Sequence, residues 1–279
     1  VATTLNTSDV RAALSAAVDA LEAVGVDSPR LDAELLLCEA IGCDRARLAA
    51  EPEAGVPAGA ARRFGELVRR RLRREPVAYI LGRKGFRGIE LEVDSRVLVP
   101  RPETELLAEL ALALEPGRVL DVGTGSGAIA LAIAAELPGC EVVATDTSAA
   151  ALEVARGNAA RLGLAERVVF VEAMMPPERG GFDLLVANLP YVAEGDWGDL
   201  EPEVTEWEPR EALLAGPDGL DVLRVAIPAA AGVAPVAAFE VGAGQAPAVS
   251  EMLFEAGFGA VETRADLAGI PRVVVGRNR

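Results

Sequence analysis

The sequence predicts an α/β protein: a doubly wound, mostly parallel sheet, a small helical bundle before it, and a β-hairpin linking the two. Three observations predict this. From Arg118 onward, short apolar runs of strand length alternate with helical segments, as in parallel strands joined by crossover helices. In roughly the first 75 residues apolar side chains recur only at helical spacing. Between the two, residues 80–100 alternate apolar with charged.

The elements follow in order. Ser8 or Asp9 can cap a helix in which Val10, Leu14, Ala17, Val18 and Leu21 share one face. Ser28-Pro29 starts a second helix carrying Leu31, Leu35, Leu36 and Cys38. Glu51 to Pro57 reads as a loop, and Ala60 to Arg74 as a third helix stopped by Pro76. Phe86, Ile89, Leu91 and Val93, interleaved with Arg87, Glu90, Glu92 and Asp94, form the hairpin; Pro100 and Pro102 close it before a helix over 103–114. Strands are predicted at 119–122, 141–145, 167–171, 182–187, 236–241 and 273–275, and helices at 128–137, 148–162, 218–231 and 246–256. The expected domains are residues 1–76, a linker at 77–102, and 103–279.

Composition narrows the chemistry. The chain has 279 residues, 43 acidic against 27 basic side chains and no histidine, and Lys84 is its one lysine. A Ser-His-Asp hydrolase, a His general base and a His-ligated metal site are excluded, and no metal is expected. No Walker A pattern surrounds Lys84. The net charge of -16 disfavours a general duplex-DNA binder. Three cysteines without CxxC spacing read as buried thiols of a reducing compartment. No apolar run approaches the roughly 18 residues of a membrane span, and Val1-Ala2-Thr3-Thr4 lacks the layout of a signal peptide. The expectation is a soluble cytoplasmic protein with no membrane partner.

Two motifs carry chemistry. Asp121-Val-Gly123-Thr124-Gly125-Ser126-Gly127 follows a strand and opens a helix. Glycines let a ligand approach the backbone, and the helix start offers unpaired amides. Asp146 ends the next strand, where a carboxylate can accept ribose hydroxyls. The turn suits either a dinucleotide pyrophosphate or the amino-acid end of S-adenosylmethionine. Asp121, the G-x-G-x-G spacing and the missing histidine favour the second. The other motif, Asn188-Leu189-Pro190-Tyr191, ends a strand facing the same crevice. An amide nitrogen is a poor nucleophile because its lone pair is delocalised. Two acceptors aimed at its protons, the Asn188 side-chain oxygen and the Leu189 carbonyl, can hold and activate it. Tyr191 can stack on the planar group.

The tetrad resembles the [N/D]-P-P-[Y/F] signature of methyltransferases acting on planar nitrogens, with Leu189 in place of the first proline. Asn-Leu-Pro-Tyr is also what ribosomal-RNA adenine dimethyltransferases carry. Pro76-Val-Ala-Tyr79-Ile-Leu-Gly82, Phe86, and Val97-Leu-Val-Pro100-Arg101-Pro102-Glu103-Thr104-Glu105 closely resemble the interdomain segment of the PrmC/HemK family, the release factor glutamine methyltransferases. Glu208-Pro-Arg-Glu-Ala-Leu213, Gly216-Pro-Asp-Gly-Leu220, Glu240, Gly242, Gln245 and Asp266 to Arg272 extend the resemblance over essentially the whole chain.

The resemblance implies a class I S-adenosylmethionine methyltransferase domain and methylation of the glutamine amide in the Gly-Gly-Gln motif of class I peptide chain release factors, leaving S-adenosylhomocysteine. It assigns Gly123 to Gly127 and Asp146 to the donor, Asn188 to donor and glutamine both, Asn188 to Tyr191 to the substrate pocket, and Arg101 to Thr104 to the donor pocket's edge. Asn188 and Tyr191 carry catalysis. Where the family places an acidic residue and an apolar one beside the adenine, this chain has Glu172-Ala173-Met174-Met175; Met174 or Met175 fills the place, with Met175 taken as the contact. The alternatives are an RNA or DNA adenine N6-methyltransferase and a non-catalytic donor-binding protein.

Charge is unevenly spread. Residues 62–101 carry 12 basic and 5 acidic groups. The arginines from Arg62 to Arg74 can face an acidic partner, the ribosome or RNA, or form a solvated helix face. Glu194, Asp196, Asp199, Glu201, Glu203, Glu206 and Glu208 follow the tetrad and can steer a basic loop toward it. Trp197 and Trp207 sit among them as candidate grips on a protein substrate.

Overall fold

The computed structural model describes residues 9–175 and 181–278, so Ser8 lies outside the described residues. The chain divides into two compact units. One runs to Gly82 and includes Pro202–Trp207; the other comprises Arg83–Glu201 and Glu208 onward. The sequence reading instead starts the linker at residue 77 and assigns all of 103–279 to one domain.

The first unit is helical. Asp9 caps α1 (Val10–Ala23), its Oδ1 accepting the Ala12 N–H at 2.7 Å. Pro29 opens α2 (Pro29–Ile41), which ends on Gly42 in the left-handed region, φ 78°. A short helix the apolar spacing does not announce, α3 (Arg45–Ala50), is capped by Asp44. Then come α4 (Ala58–Arg71), α5 (Val77–Leu81) and, from later in the chain, α9 (Pro202–Trp207). Leu14, Leu21, Leu36, Leu37, Phe64 and Ile80 form its core.

Charge is also buried in this unit. The Arg71 side chain is 6% exposed and donates to Asp32 at 2.7 Å and to Glu203 at 2.5 Å. Arg74 donates to both oxygens of Glu203, and Arg70 to both oxygens of Glu75. Of the arginine cluster, Arg62, Arg63, Arg69 and Arg73 are exposed, with Arg63 paired to Glu39. The solvated-face reading thus covers only part of the cluster; Arg71 and Arg74 are internal braces, and the half-exposed Arg70 pairs with Glu75.

The second unit begins with the hairpin β1 (Arg83–Phe86) and β2 (Ile89–Glu92). A 3-10 turn at Pro102–Thr104 leads into α6 (Glu105–Leu114). Strands and helices then alternate: β3 (Arg118–Val122), α7 (Ala128–Glu136), β4 (Glu141–Asp146), α8 (Ala149–Arg161), β5 (Val168–Glu172) and β6 (Leu184–Ala187). After α9 come α10 (Asp221–Ala230), β7 (Val236–Glu240), α11 (Ala246–Glu255), β8 (Ala260–Ala265) and β9 (Pro271–Arg277). The strand order is β5-β4-β3-β6-β7-β9-β8. Five strands are parallel, while β9 runs antiparallel to β7 and β8 antiparallel to β9. This is the predicted doubly wound, mostly parallel sheet, with β8 added at an edge.

Winding outward from β3 in both directions puts the switch point between β3 and β6. Ligands of such sheets bind outside the strand carboxyl ends at that point. The glycine turn follows β3 and the Asn188 tetrad follows β6, so the topology sets the two motifs side by side. The central strands β3, β6 and β7 are mostly apolar, with Leu120, Leu185, Ala237 and Phe239 fully buried, as a sheet covered on both faces requires.

Cys38 and Cys43 are half-buried and Cys140 is buried, and none is in a disulfide; the expectation of buried thiols holds only for Cys140. Among the described residues no helix is long and apolar enough to cross a membrane.

Candidate active site

The glycine turn is held from several sides. Asp121 is fully buried in β3; its Oδ2 accepts from Thr124 Oγ1 at 2.6 Å and from the Ala130 N–H at 3.2 Å. Burial pushes this carboxyl up to about 7, against the pull of those two donors. The amides of Gly123 and Thr124 both donate to Thr145 O at 2.9 Å, and Gly127 donates to Thr124 O. The turn's own amides are thus committed to β4 and to the turn, while of the first amides of α7 that of Ala130 goes to Asp121.

Two glycines have a demonstrable reason. A Cβ on Gly123, at φ +74°, would lie 2.9 Å from Leu189 Cδ2, so the two motifs touch. A Cβ on Gly125, at φ +56°, would meet no atom within 4 Å, which leaves open space over the turn for a ligand.

Asp146 lies at the end of β4. Its Oδ2 accepts the Gly125 N–H and its Oδ1 the Ser148 N–H, both at 2.9 Å. Two backbone amides therefore hold the carboxylate at the cleft with lone pairs to spare for hydroxyl donors. Asn158, buried in α8, donates to Ser126 O and Glu92 O and accepts the Glu92 N–H, pinning the hairpin and the turn to one helix. Its role is invisible in a sequence where it is one polar residue on a helix.

At the end of β6, Asn188 is half-buried and its Nδ2 donates to Thr104 Oγ1 at 3.0 Å. That bond leaves Oδ1 as the amide's free acceptor. Tyr191 is turned inward, its hydroxyl donating to Glu240 Oε1 at 3.3 Å. Burial pushes the Tyr191 phenol well above its ordinary value. Gln245 Nε2 donates to Tyr191 O at 2.9 Å while its Oε1 accepts the Gly242 N–H, so the tetrad is stapled from α11's start. A Cβ on Gly219 would lie 2.3 Å from Tyr191 O, so that loop crosses the tetrad at glycine contact.

A cavity of about 270 Å³ opens between the motifs. Gly123, Thr124, Gly125, Ser126 and Asp146 line one side, Asn188, Leu189 and Pro190 another, and Arg101 and Thr104 a third. Three assigned residues stand back from it. Gly127 is the helix cap, where a Cβ would lie 2.8 Å from Leu131 Cδ1. Tyr191 is not among the lining residues, which replaces the expected stacking role by an internal one. Both methionines pack on the core, but Met174 lines the cleft and the expected contact Met175 does not. Arg96, Val97 and Leu98, immediately before the Pro-Arg-Pro motif, also line it, as do Thr147, Pro209, Glu211 and Ala212. The sequence reading gave these no site role.

Arg101 donates to Glu208 Oε2 at 2.6 Å, and the Glu208 side chain is only 1% exposed. This pair ties the Pro-Arg-Pro segment to the Glu-Pro-Arg-Glu loop. Burial raises the Glu208 carboxyl, Arg101 pulling the other way. Of the acidic cluster, Glu203 and Glu208 are thus internal ion-pair partners. Trp197 lies under the Arg210 guanidinium, 5.0 Å from ring centre to carbon, whereas Trp207 Nε1 donates to Arg73 O in the helical unit.

S-adenosylmethionine presents a ribose, a zwitterionic amino acid, an adenine and a sulfonium. The amide-held Asp146, the uncrowded Gly125 and the apolar wall of Val97, Leu98 and Met174 fit those parts.

The profile of the PrmC N-terminal domain matches residues 12–82, and that of the methyltransferase small domain matches residues 101–201. The release factor glutamine methyltransferase of Xylella fastidiosa (strain Temecula1) is 44% identical, over 95% of this chain and 97% of that protein. The protein of that name from Bradyrhizobium diazoefficiens is 42% identical, over 92% and 91%. Among solved structures, the hMettl16 catalytic domain in complex with a MAT2A 3′UTR hairpin aligns with a TM-score of 0.56 at 16% identity, over 73% of this chain and 80% of that one. A methyltransferase from Pyrococcus furiosus aligns at 0.51 and 18% identity, over 70% and 91%. Those two likenesses are of fold. The full-length relatives decide the lineage: the chain is a methyltransferase and belongs to the release factor glutamine methyltransferase family.

Proposed function

We propose that this protein transfers a methyl group from S-adenosylmethionine to the side-chain amide of the glutamine in the Gly-Gly-Gln motif of class I peptide chain release factors, in the cytoplasm. The observation that carries the reading is Asn188: its NH2 is committed to Thr104, which leaves its oxygen as an acceptor at the edge of a cleft also lined by Gly125 and Asp146.

The donor supplies a methyl group on a positively charged sulfur. Asn188 Oδ1 and the Leu189 carbonyl accept the two protons of the substrate amide and hold its nitrogen in line with that carbon. The bound donor would give up that methyl to the nitrogen held by Asn188 and Leu189, its sulfur keeping the bonding pair as the leaving group. The nitrogen then sheds one proton toward the acceptor that held it, and on to water. No histidine is needed, because positioning and two aimed acceptors replace a strong base. Asp146 holds the ribose hydroxyls, and Arg101 and Thr104 border the donor. Leu189 keeps the carbonyl of the usual proline while giving up its fixed φ. The exposed Arg62, Arg69 and Arg73 offer a face to a ribosomal or RNA surface.

The test is transfer of labelled methyl from donor to purified release factor, with ribosomal RNA and a glutamine-to-alanine factor in parallel. Label on the native factor alone is expected. Label on RNA, or full labelling of the alanine factor, would overturn the reading.

A further inference from the structure

The tetrad is a strap between two fixed points. Ala187, the last residue of β6, pairs with Phe239 of β7. Val192 donates its N–H to Leu213 O at 2.8 Å and accepts the Ala215 N–H at 2.9 Å. Between them runs the Leu189 carbonyl, an acceptor in the reaction above. Pro190 has no N–H by which a neighbour could grip the middle of the strap. The next handle is the Tyr191 carbonyl, and a side chain from outside the cleft takes it. Gln245, at the start of α11, is not among the residues lining the cavity.

The Gln245 amide has one way to face. Its Oε1 accepts the Gly242 N–H at 2.8 Å. An amide oxygen accepts and an amide NH2 donates, so that bond turns the NH2 toward carbonyls. Nε2 donates to Tyr191 O at 2.9 Å and lies 3.5 Å from both Asp218 O and Gly219 O. By length the Tyr191 bond is the strong one. Glycines make the room for it. A Cβ on Gly219, at φ +76°, would lie 2.3 Å from Tyr191 O and 2.8 Å from Gln245 Nε2. A Cβ on Gly242 would lie 2.9 Å from Gln245 Oε1 and 3.3 Å from Tyr191 Cδ2. Three segments distant in sequence thus close on one carbonyl, all of them within the α/β unit.

We propose that Gln245 is a positioning residue for methyl transfer: by holding the Tyr191 carbonyl it fixes the course of the tetrad, and so the aim of the Leu189 carbonyl at the substrate amide. This rests on the reading of Leu189 as an acceptor. A displacement of about 1 Å at such a group costs on the order of a hundredfold in rate. The donor is held by the other motif, through Gly125 and Asp146, so its binding does not pass through Gln245.

Two variants separate the bond to Tyr191 from bracing of the turn at 242–245. Gln245→Glu keeps the length and the acceptor for Gly242, but at pH 8 sets an oxygen against the Tyr191 carbonyl. Gln245→Leu loses both bonds. With native release factor as substrate, each lowers kcat about tenfold to a hundredfold, Glu at least as far as Leu, while KM and calorimetric Kd for the donor stay within about twofold. Gly219→Ala sets a methyl group against both partners of the bond and wedges it apart. It lowers kcat in the same way, and its loss combined with that of Gln245→Glu is smaller than the product of the two. Thermal melts confirm which variants are folded at the assay temperature; Gln245→Leu and Gly219→Ala carry the test if Gln245→Glu does not fold. A Gln245→Glu enzyme as fast as wild type, a loss confined to KM for the donor, or fully multiplicative losses would overturn the proposal. Wild-type protein that leaves the factor unlabelled sinks the reading of the site itself; labelling by wild type with unaltered kcat in the Gln245 variants sinks only the positioning role.

Discussion

In the helical unit the deeply buried charges face opposite charges: Arg71 against Asp32 and Glu203, and Glu75 against Arg70. In the α/β unit, Asp121 and Glu240 at the strand ends have only hydroxyls and an amide as hydrogen-bond partners; Glu208, paired with Arg101, is the exception. The difference separates two uses of burial. A buried pair fixes a geometry between helices. A buried carboxylate among hydroxyls fixes which way protons point, and that matters beside a reacting amide.

The two uses also give opposite pH signs. In Glu203, burial is outweighed by Arg74 and Arg71, and the carboxyl titrates below its ordinary value. Its stabilising effect is present above the ordinary carboxylate range and lost as pH falls. Asp121 and Glu240 are raised to about 7 by burial. Their folded forms hold a proton that the unfolded chain has released, so stability declines as pH rises from the carboxylate range through about 7. Within the helical unit Asp32 goes against its neighbours, burial outweighing Arg71.

The largest effect expected is at the acceptor. Asn188→Ala lowers kcat about 100- to 1000-fold, the cost of one aimed hydrogen-bonding group, with donor affinity by calorimetry little changed; an unaltered kcat would break the mechanism. Next is the pairing itself. Glu203→Ala takes away the carboxylate that Arg71 and Arg74 share, leaving Arg71 its pair with Asp32, and costs the helical unit about 3 kcal/mol by urea titration; a loss under about 1 kcal/mol would mean that the buried charges there are not mutually dependent. Smaller, and sharper for the comparison, is Asp121→Asn. The decline of stability from about pH 5 to 7 flattens by about 1 kcal/mol or more, read from melts in a pH series. A slope identical to wild type would move the effect to Glu240. Smallest is Trp207→Phe, which removes the bond to Arg73 O and costs roughly 0.5 kcal/mol. Trp197 fluorescence follows the other unit in that variant and keeps its transition unchanged.

The parallel strands were legible because each is a mostly apolar run ended by a glycine, an asparagine or an acidic residue. β8 was not: in Ala260–Ala265 only Val261 is a sizeable apolar residue, and as an edge strand it needs no buried face. The two site motifs were legible because their residue types have few other reasons to follow a strand. The contact of Tyr191 with Glu240 was not, since the two become neighbours only through the order β6-β7. The shift from Met175 to Met174 has the same origin, for past the end of β5 the alternation of sides no longer fixes which methionine faces the cleft.

Pro202–Trp207 belongs to the helical unit although some 120 residues of α/β chain precede it. A nascent chain emerging from the ribosome has α1 to α5 available early, but Arg71 and Arg74 wait for Glu203 until most of the sheet has been made. During synthesis Arg71 has Asp32 as its early partner, and the helical unit completes its ion pairs only when the second unit is well advanced. Neither unit can be cut free at one peptide bond, and a recombinant fragment ending at residue 82 would lack the carboxylate that Arg71 and Arg74 share.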